Sequence, residues 1–329
     1  SAQIVHNLSK AGMVILGKTN LSEFAYSGLG INPHFGTPKN SFGIDRIPGG
    51  SSSGSAVAVS SGASPCAIGS DTSGSIRIPA AFNGLVGFKP SSNRFDMSGV
   101  HALSPTLDTL GPITTSVKDC VFIDAAMRGQ QLIWKELATL SEVSFVIPSN
   151  LVFEDVETDV LTNFNNAILK LKNAGAHVVT KPIKAFEQAK SLMALNGTIV
   201  GAEALYELRE ALGPDNITKL DPRIALRLRT GMAMSAIQLL SLYDGRKKLS
   251  LMIEKELNGS VLVFPTVVCT APSIESLEND EELYTKTNLK ILRNTMIGSY
   301  LDMPSITLPT GKDEIGLPTS ILLSLPNGQ

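Results

Sequence analysis

Two serine clusters near the start of the chain carry the side chains best suited to nucleophilic chemistry. They read Gly-Gly-Ser-Ser-Ser-Gly-Ser at residues 49–55 and Asp-Thr-Ser-Gly-Ser at residues 71–75. Glycine allows positive φ and close backbone packing around a reacting group, and serine offers hydroxyls. Ser75 follows a short apolar run and precedes a helix-forming segment, which predicts a strand, a tight turn and a helix. Such a turn directs backbone N–H groups into one small space, where they stabilise an oxyanion beside the Ser75 hydroxyl.

Three other interpretations of the first cluster fit the sequence less well. A flexible Gly/Ser linker is not followed by an apolar, buried-looking segment such as residues 56–59. A phosphate-binding P-loop requires lysine and Ser/Thr after its last glycine, whereas Ser55 and Ala56 stand there. A nucleophile elbow of the α/β-hydrolase type, with Ser52 as the nucleophile, requires an apolar strand directly before it. Residues 43–48 are instead turn-like and polar.

The whole stretch resembles the signature of the amidase signature family of serine hydrolases. The resemblance runs through the first 125 residues and continues more weakly to the end of the chain. Ile78 and the stretch 26–32 are more similar to stand-alone amidases than to the related amidotransferase subunits. The motifs that carry the resemblance are both serine clusters, Arg77 and Pro79, and the segments 17–24, 84–90 and 103–112.

The resemblance implies a role for each serine cluster. Ser75 matches the nucleophile, and Ser51 matches a serine on a cis peptide bond that relays the proton of the nucleophile. In the family a lysine is the base, which completes a Ser-Ser-Lys triad that needs neither a metal nor an organic cofactor. Ser73 departs from the common pattern, because glycine is usual at that position. The backbone N–H groups that match the oxyanion hole are those of Thr72, Ser73, Gly74 and Ser75.

The lysine of the family lies farther upstream than the residues that precede Ser51 in this chain. The lysines ahead of the first cluster are Lys10, Lys18 and Lys39, and none of them lies in the base motif. The first residue is serine, and the chain ends shortly after an apolar run at 321–325. We therefore expect a part of a longer amidase that lacks an N-terminal segment with the lysine and a C-terminal end. Residues 1–329 alone are expected to show little activity.

Other residues near the clusters are expected to support the site. By the resemblance, Ala25, Tyr26 and Ser27 contribute to the wall of the substrate pocket. Arg77 is suited to grip a carboxylate substrate, but directly after the nucleophile turn a buried structural ion pair is favoured. Asp71 is expected to hold its turn through bonds from its side chain to the backbone.

The composition limits which partners and which cellular compartment we expect for this protein. A formal net charge of −2 and the lack of a dense Lys/Arg block give no reason to bind nucleic acid or an anionic membrane. Cys66, Cys120 and Cys269 are far apart, and the four histidines are scattered, so neither a zinc site nor a disulfide framework is indicated. These features favour a cytoplasmic protein. The resemblance implies a small-molecule amide as its partner, and a homodimer stays open.

The elements that position the clusters follow an α/β pattern. Two segments run from an amphipathic helix through Ala-Gly into a strand, and three apolar runs end in proline. Helices and strands that alternate in this way predict a mixed central β-sheet covered on both faces by α-helices. The helix-to-strand segments are 4–16 and 167–179, the predicted strands are 145–148, 261–265 and 306–309, the predicted helices are 192–212 and 237–257, and a break is expected at 213–216.

We expect one amidase signature domain over residues 1–329, incomplete at both ends. Within it, 1–125 is the signature core, 126–300 is the variable substrate-pocket region, and 301–329 returns to the core sheet. The expected function is hydrolysis of a carbon–nitrogen amide bond. Two alternatives remain at this point: the glutaminase subunit of a tRNA-dependent amidotransferase, and a catalytically inactive amidase-like binding protein.

Overall fold

A computed structural model describes residues 1–133, 137–213 and 216–329. Within these residues the chain forms helices and strands that alternate irregularly. The helices are α1 (Gln3–Lys10), α2 (Ser53–Ser60), α3 (Arg77–Phe82), α4 (Val117–Met127), α5 (Thr158–Asn173), α6 (Lys184–Asn196), α7 (Ile199–Leu212), α8 (Pro222–Met232), α9 (Ala236–Leu257), α10 (Ile274–Glu278) and α11 (Glu281–Tyr300). The strands are β1 (Cys66–Asp71), β2 (Val86–Lys89), β3 (Thr109–Thr114), β4 (Ser144–Pro148), β5 (His177–Lys181), β6 (Val261–Pro265), β7 (Ser305–Lys312) and β8 (Pro318–Ser324).

The strands form one mixed sheet in the order β1-β3-β2-β7-β8-β6-β4-β5. Strand β4 runs parallel to β5 and β6, and the other neighbouring pairs are antiparallel. The parallel end is built from helix-linked segments, as parallel pairing requires. This arrangement confirms the predicted mixed sheet.

Both faces of the sheet are covered. On β6, Leu262 and Phe264 pack in a cluster with residues of α6, α7 and α9, whereas Val263 packs with residues of α5. Successive strand residues point to opposite faces, so these two clusters lie on opposite sides of the sheet. At the other end, Ile113 of β3 packs with α2 and α3, while Leu110 packs with α1 and α4.

Side-chain caps fix the starts of several helices. The Ser116 hydroxyl accepts from the N–H of Asp119 at the start of α4, and the Asp280 carboxylate accepts from Leu283 at the start of α11. Each cap satisfies an N–H group that has no partner within its helix. Helix α11 then carries buried residues along most of its length, and they pack in clusters that include residues of α3 and α6.

The predicted strand after Gly12 is wrong. Residues 13–21 form neither helix nor strand, and the side chains of Val14 and Leu16 are 81% and 72% exposed. A strand needs a neighbour to pair its N–H and C=O groups. None of the described strands pairs with this segment.

The predicted helix over 192–212 is interrupted at its centre. Gly197, at a φ of 83°, ends α6, and Thr198 begins α7 by accepting from the N–H of Gly201. Strand β7 continues through Pro309 to Lys312, since an irregularity in its pairing with β8 accommodates the proline. The other predicted strands and the helix over 237–257 are confirmed. Gly213 follows the end of α7, and the rest of the predicted break includes residues 214–215, which lie outside the described residues.

No helix in the described part of the chain is long and apolar enough to cross a membrane.

Candidate active site

The turn that carries Ser75 follows directly on β1 and is held by the carboxylate of Asp71. This carboxylate accepts from the N–H of Gly74 at 2.7 Å and from the N–H of Ile76 at 3.1 Å. The chain then enters α3 at Arg77. The predicted order of strand, tight turn and helix is therefore confirmed, and Asp71 fixes the turn as its sequence position suggested.

Arg77 and Asp71 form a fully buried, two-pronged ion pair. Both side chains are 0% exposed, and the guanidinium Nε and NH2 donate to the two carboxylate oxygens at 3.0 and 2.9 Å. NH2 also donates to the Ser299 hydroxyl of α11 at 2.7 Å. Burial opposes ionisation of Asp71, but the charge and hydrogen bonds of Arg77 outweigh it and lower the pKa of this carboxyl below its usual value. Arg77 thus has the structural role favoured by the sequence.

A second contact holds the turn from the side of α11. The Thr295 hydroxyl donates to the carbonyl oxygen of Ser73 at 2.6 Å. Gly74 has a φ of 139°, and a Cβ at this position would lie 2.2 Å from Thr295 Oγ1. Only glycine fits here, because both the backbone conformation and the contact with α11 exclude a side chain.

Three of the four N–H groups expected in the oxyanion hole have no hydrogen-bond acceptor within the described residues. These are the groups of Thr72, Ser73 and Ser75. The fourth, that of Gly74, donates to Asp71. In this structure the N–H of Gly74 stabilises the turn.

Ser51 lies at the start of the α2 segment, beside the turn that carries Ser75. The peptide bond between Gly50 and Ser51 is cis. The N–H of Ser52 donates to the carbonyl oxygen of Ser75 at 3.1 Å, which joins the two serine clusters directly. Ser51 is 1% exposed, and its hydroxyl has no hydrogen-bond partner within the described residues. A buried hydroxyl without a partner is costly, so this group is a candidate for a role in chemistry.

A cavity of about 250 Å³ of empty space, including its mouth, opens at the Ser75 turn. The predicted wall residues Ala25, Tyr26 and Ser27 all line it. Ala25 has a positive φ of 58°, which is strained for a residue other than glycine, and strain of this kind often marks functional sites. Ser27 is anchored by a 2.7 Å hydrogen bond between its hydroxyl and that of Tyr284 in α11. Thr72, Ser73 and Ser75 line the same cavity.

None of the lysines of the described chain contacts the Ser51 hydroxyl. Lys10, Lys18 and Lys39 are exposed. Lys89 is 1% exposed, and its ammonium donates to the carbonyl oxygens of Pro90 and Met303 at 2.8 and 3.3 Å. Burial and the nearby charge of Arg77 lower the pKa of Lys89 to about 8.

Within residues 1–133, 137–213 and 216–329, no group of three or more histidine, cysteine or acidic side chains is arranged to hold a metal ion. The three cysteines are free thiols.

Several residues of the site were not found from the sequence. Leu103, Val200, Arg227 and Leu292 line the cavity although they are distant from the serine clusters in the chain. The Thr72 hydroxyl donates to Asp108 at 2.5 Å, and burial raises the pKa of this carboxyl. Leu103 and Asp108 carried a sequence signal, since both lie in the motif at 103–112.

Comparison with known proteins identifies the protein family. The family model described as Amidase matches residues 1–329. The chain belongs to the amidase family. Its members hydrolyse amide bonds, and the chain is an amidase-type enzyme with the fold expected from the resemblance.

Individual relatives agree with this assignment. The chain is 30% identical to 2-amino-5-chloromuconic acid deaminase of Comamonas testosteroni over 328 residues, which cover 98% of this chain and 70% of that protein. A crystal structure of an amidase superposes with a TM-score of 0.89 at 29% identity, covering 100% of this chain and 74% of that one. One subunit of the glutamyl-tRNA(Gln) amidotransferase of Thermotoga maritima gives a TM-score of 0.81 at 26% identity, over 99% and 73% of the two chains.

Proposed function

We propose that this protein hydrolyses a carbon–nitrogen amide bond through an acyl-enzyme on Ser75. The observation that carries the proposal is the turn at 72–75. It presents the Ser75 residue and backbone N–H groups without acceptors to the same small cavity. A nucleophile beside fixed N–H donors is the arrangement that acyl transfer requires.

In the first half of the reaction, Ser75 Oγ attacks the amide carbonyl carbon and its proton passes to Ser51 Oγ. The carbonyl oxygen gains the negative charge, which the N–H groups of Thr72, Ser73 and Ser75 stabilise. The carbon–nitrogen bond then breaks as the nitrogen receives a proton through Ser51. In the second half, water attacks the ester on Ser75 by the same proton path, and the acid is released.

Ser51 can accept the proton of Ser75 only if a base removes the proton of the Ser51 hydroxyl. The buried hydroxyl of Ser51, which lacks a partner in the described structure, supports this role because a second proton acceptor would satisfy it. The family resemblance implies a lysine as that base, and this part of the mechanism stays a prediction. Lys89 does not fit, because its ammonium is bound to two backbone carbonyls.

We propose a small-molecule amide as the substrate and the cytoplasm as the compartment. The site is a concave pocket lined by apolar side chains and a few polar groups, which is the usual form of a small-molecule site. Three free cysteines, two of them buried, are consistent with a reducing compartment.

Three serine variants test the proposal on protein expressed from its complete coding sequence. Ser75→Ala should abolish amide hydrolysis, and Ser51→Ala should lower kcat by roughly 10²–10⁴-fold, the usual range for a proton-transfer step. Ser61→Ala, an exposed serine just after α2 that does not line the cavity, is the control and should retain activity within about tenfold. Substantial turnover by Ser75→Ala would contradict the assignment.

A second candidate is the glutaminase subunit of an amidotransferase. It is favoured by the similarity to the subunit of the Thermotoga maritima amidotransferase, which shares the fold over nearly the whole chain. Such a subunit works in a complex, so purification of the native protein separates the candidates. Stable partner subunits and hydrolysis of glutamine alone would favour the amidotransferase, and an active free enzyme would favour the amidase.

A further inference from the structure

Arg227 is the one cationic side chain that lines the cavity at Ser75 in the described structure. It projects from α8 and stacks on the ring of Tyr26, with Cζ 4.0 Å from the ring centroid. Its NH1 group also donates to the carbonyl oxygen of Tyr26 at 2.5 Å. The guanidinium is therefore fixed in place before any substrate binds, and this contact leaves its other N–H donors available.

The charge of Arg227 has no acidic partner among the described residues. Within the described residues no carboxylate lies within 4.0 Å of its guanidinium. Arg223, one turn earlier, offers a direct contrast: it stacks on Tyr284 in the same way, at 4.2 Å, but is paired with Asp221 at 2.6 Å. Of these two stacking arginines, the one that lines the cavity is thus the one without an acidic partner in the described part of the chain.

The rest of the wall strengthens the effect of this charge. Ala25, Leu103, Val200 and Leu292 are apolar, and burial raises the pKa of the neighbouring Tyr26 hydroxyl. A charge beside such a wall is poorly solvated, and it attracts an anion more strongly than it would in water. A carboxylate matches the planar guanidinium in shape as well as in charge.

We infer that Arg227 binds a carboxylate on the substrate, so that the preferred substrates are small amides that carry a carboxylate beyond the scissile bond. This inference rests on the proposed function, because it places the amide carbonyl at Ser75 and the carboxylate at Arg227, and both residues line the same cavity.

The test compares matched amides in binding and in turnover. The charged series is malonamate, succinamate, glutaramate and adipamate, and the neutral series is the simple monoamides with the same number of carbon atoms. Calorimetric binding is measured on the Ser75→Ala variant, so that it does not depend on catalysis, and turnover is measured on the enzyme with Ser75 intact. The inference predicts that at least one charged amide binds more tightly than its neutral partner by about tenfold or more.

Variants of Arg227 then test whether this residue causes the preference for charged amides. Arg227→Gln should weaken binding of the preferred charged amide by about 10- to 100-fold and change binding of the neutral amide less than about threefold. Arg227→Lys should restore part of the preference, because it keeps the charge and loses the planar fork. Arg229→Gln, an exposed arginine on the same helix, is the control and should change neither.

Two results would overturn the inference. One is the lack of a charged-over-neutral preference at any chain length, and the other is an equal loss for both series in Arg227→Gln, which would mean a purely structural role. Failure of the proposed function is separate from both, since it would show as hydrolysis that persists in Ser75→Ala whatever the binding preference.

Discussion

Replacing Asp71 by alanine removes the side chain on which the nucleophile turn depends. The carboxylate is fully buried and accepts four hydrogen bonds shorter than 3.2 Å, two from the N–H groups of Gly74 and Ile76 and two from Arg77. In Asp71→Ala the guanidinium of Arg77 stays buried with only the Ser299 hydroxyl as a partner. The NH1 group of Arg77 already lacks a partner in the described structure, so the variant adds to an existing deficit.

The size of the destabilisation in Asp71→Ala follows from the burial of the ion pair between Asp71 and Arg77. Breaking a fully buried ion pair by removing one partner costs about 3–5 kcal/mol, because the remaining charge is left uncompensated. Native domains are stable by only about 5–15 kcal/mol, so the loss is a large fraction of the free energy of unfolding. Activity should fall further than stability alone explains, because the N–H group of Gly74 loses the acceptor that orients the turn.

Urea-induced unfolding followed by circular dichroism measures this free energy, and kcat is measured at a temperature where the variant is folded. Lys248→Ala is the control: it removes an exposed ion pair with Asp244, whose side chains are 73% and 60% exposed, and such pairs contribute about 0–1 kcal/mol. A loss below about 1 kcal/mol for Asp71→Ala, equal to that of the control, would refute the reasoning.

Three further predictions follow from the same site. Gly74→Ala should cost about 1–3 kcal/mol in the free energy of unfolding and lower kcat, because φ is positive and the new Cβ meets Thr295; equal stability and activity would contradict this. The unfolded chain keeps the proton of Lys89 at pH values where the folded protein has lost it, so the free energy of unfolding should rise by up to roughly 3 kcal/mol between pH 8 and 10.5, relative to Lys89→Met. A difference in the free energy of unfolding between these two proteins that does not change with pH would contradict the lowered pKa. EDTA should leave turnover unchanged, and a loss restored by added metal would mean a missed metal site.

The local parts of the site could be predicted from the sequence because neighbouring residues build them. The strand, turn and helix around Ser75 depend on Asp71, Gly74 and Arg77, which lie within a few residues of one another. The periodicity of apolar residues likewise predicted the helix over 237–257 and the strands β4 and β6. In these segments the local preference and the final fold agree.

The features of the site and the fold that could not be predicted depend on contacts between distant parts of the chain. Thr295 and Ser299 hold the turn from α11, more than two hundred residues away, and no local pattern marks them. The resemblance placed the N–H of Gly74 in the oxyanion hole. In the structure this N–H donates to the carboxylate of Asp71. The apolar run after Gly12 has the composition of a strand, yet a strand forms only where another pairs with it.

The central claim is the acyl-enzyme on Ser75. Its most direct test is to mix the complete enzyme with an amide that it hydrolyses, quench in acid within the first turnovers, and map the added acyl mass by peptide mass spectrometry. The account predicts one acyl group on the peptide that contains Ser75, and no such adduct in Ser75→Ala. An acyl group on another residue, or turnover by the Ser75→Ala variant at the rate of the unaltered enzyme, would contradict it.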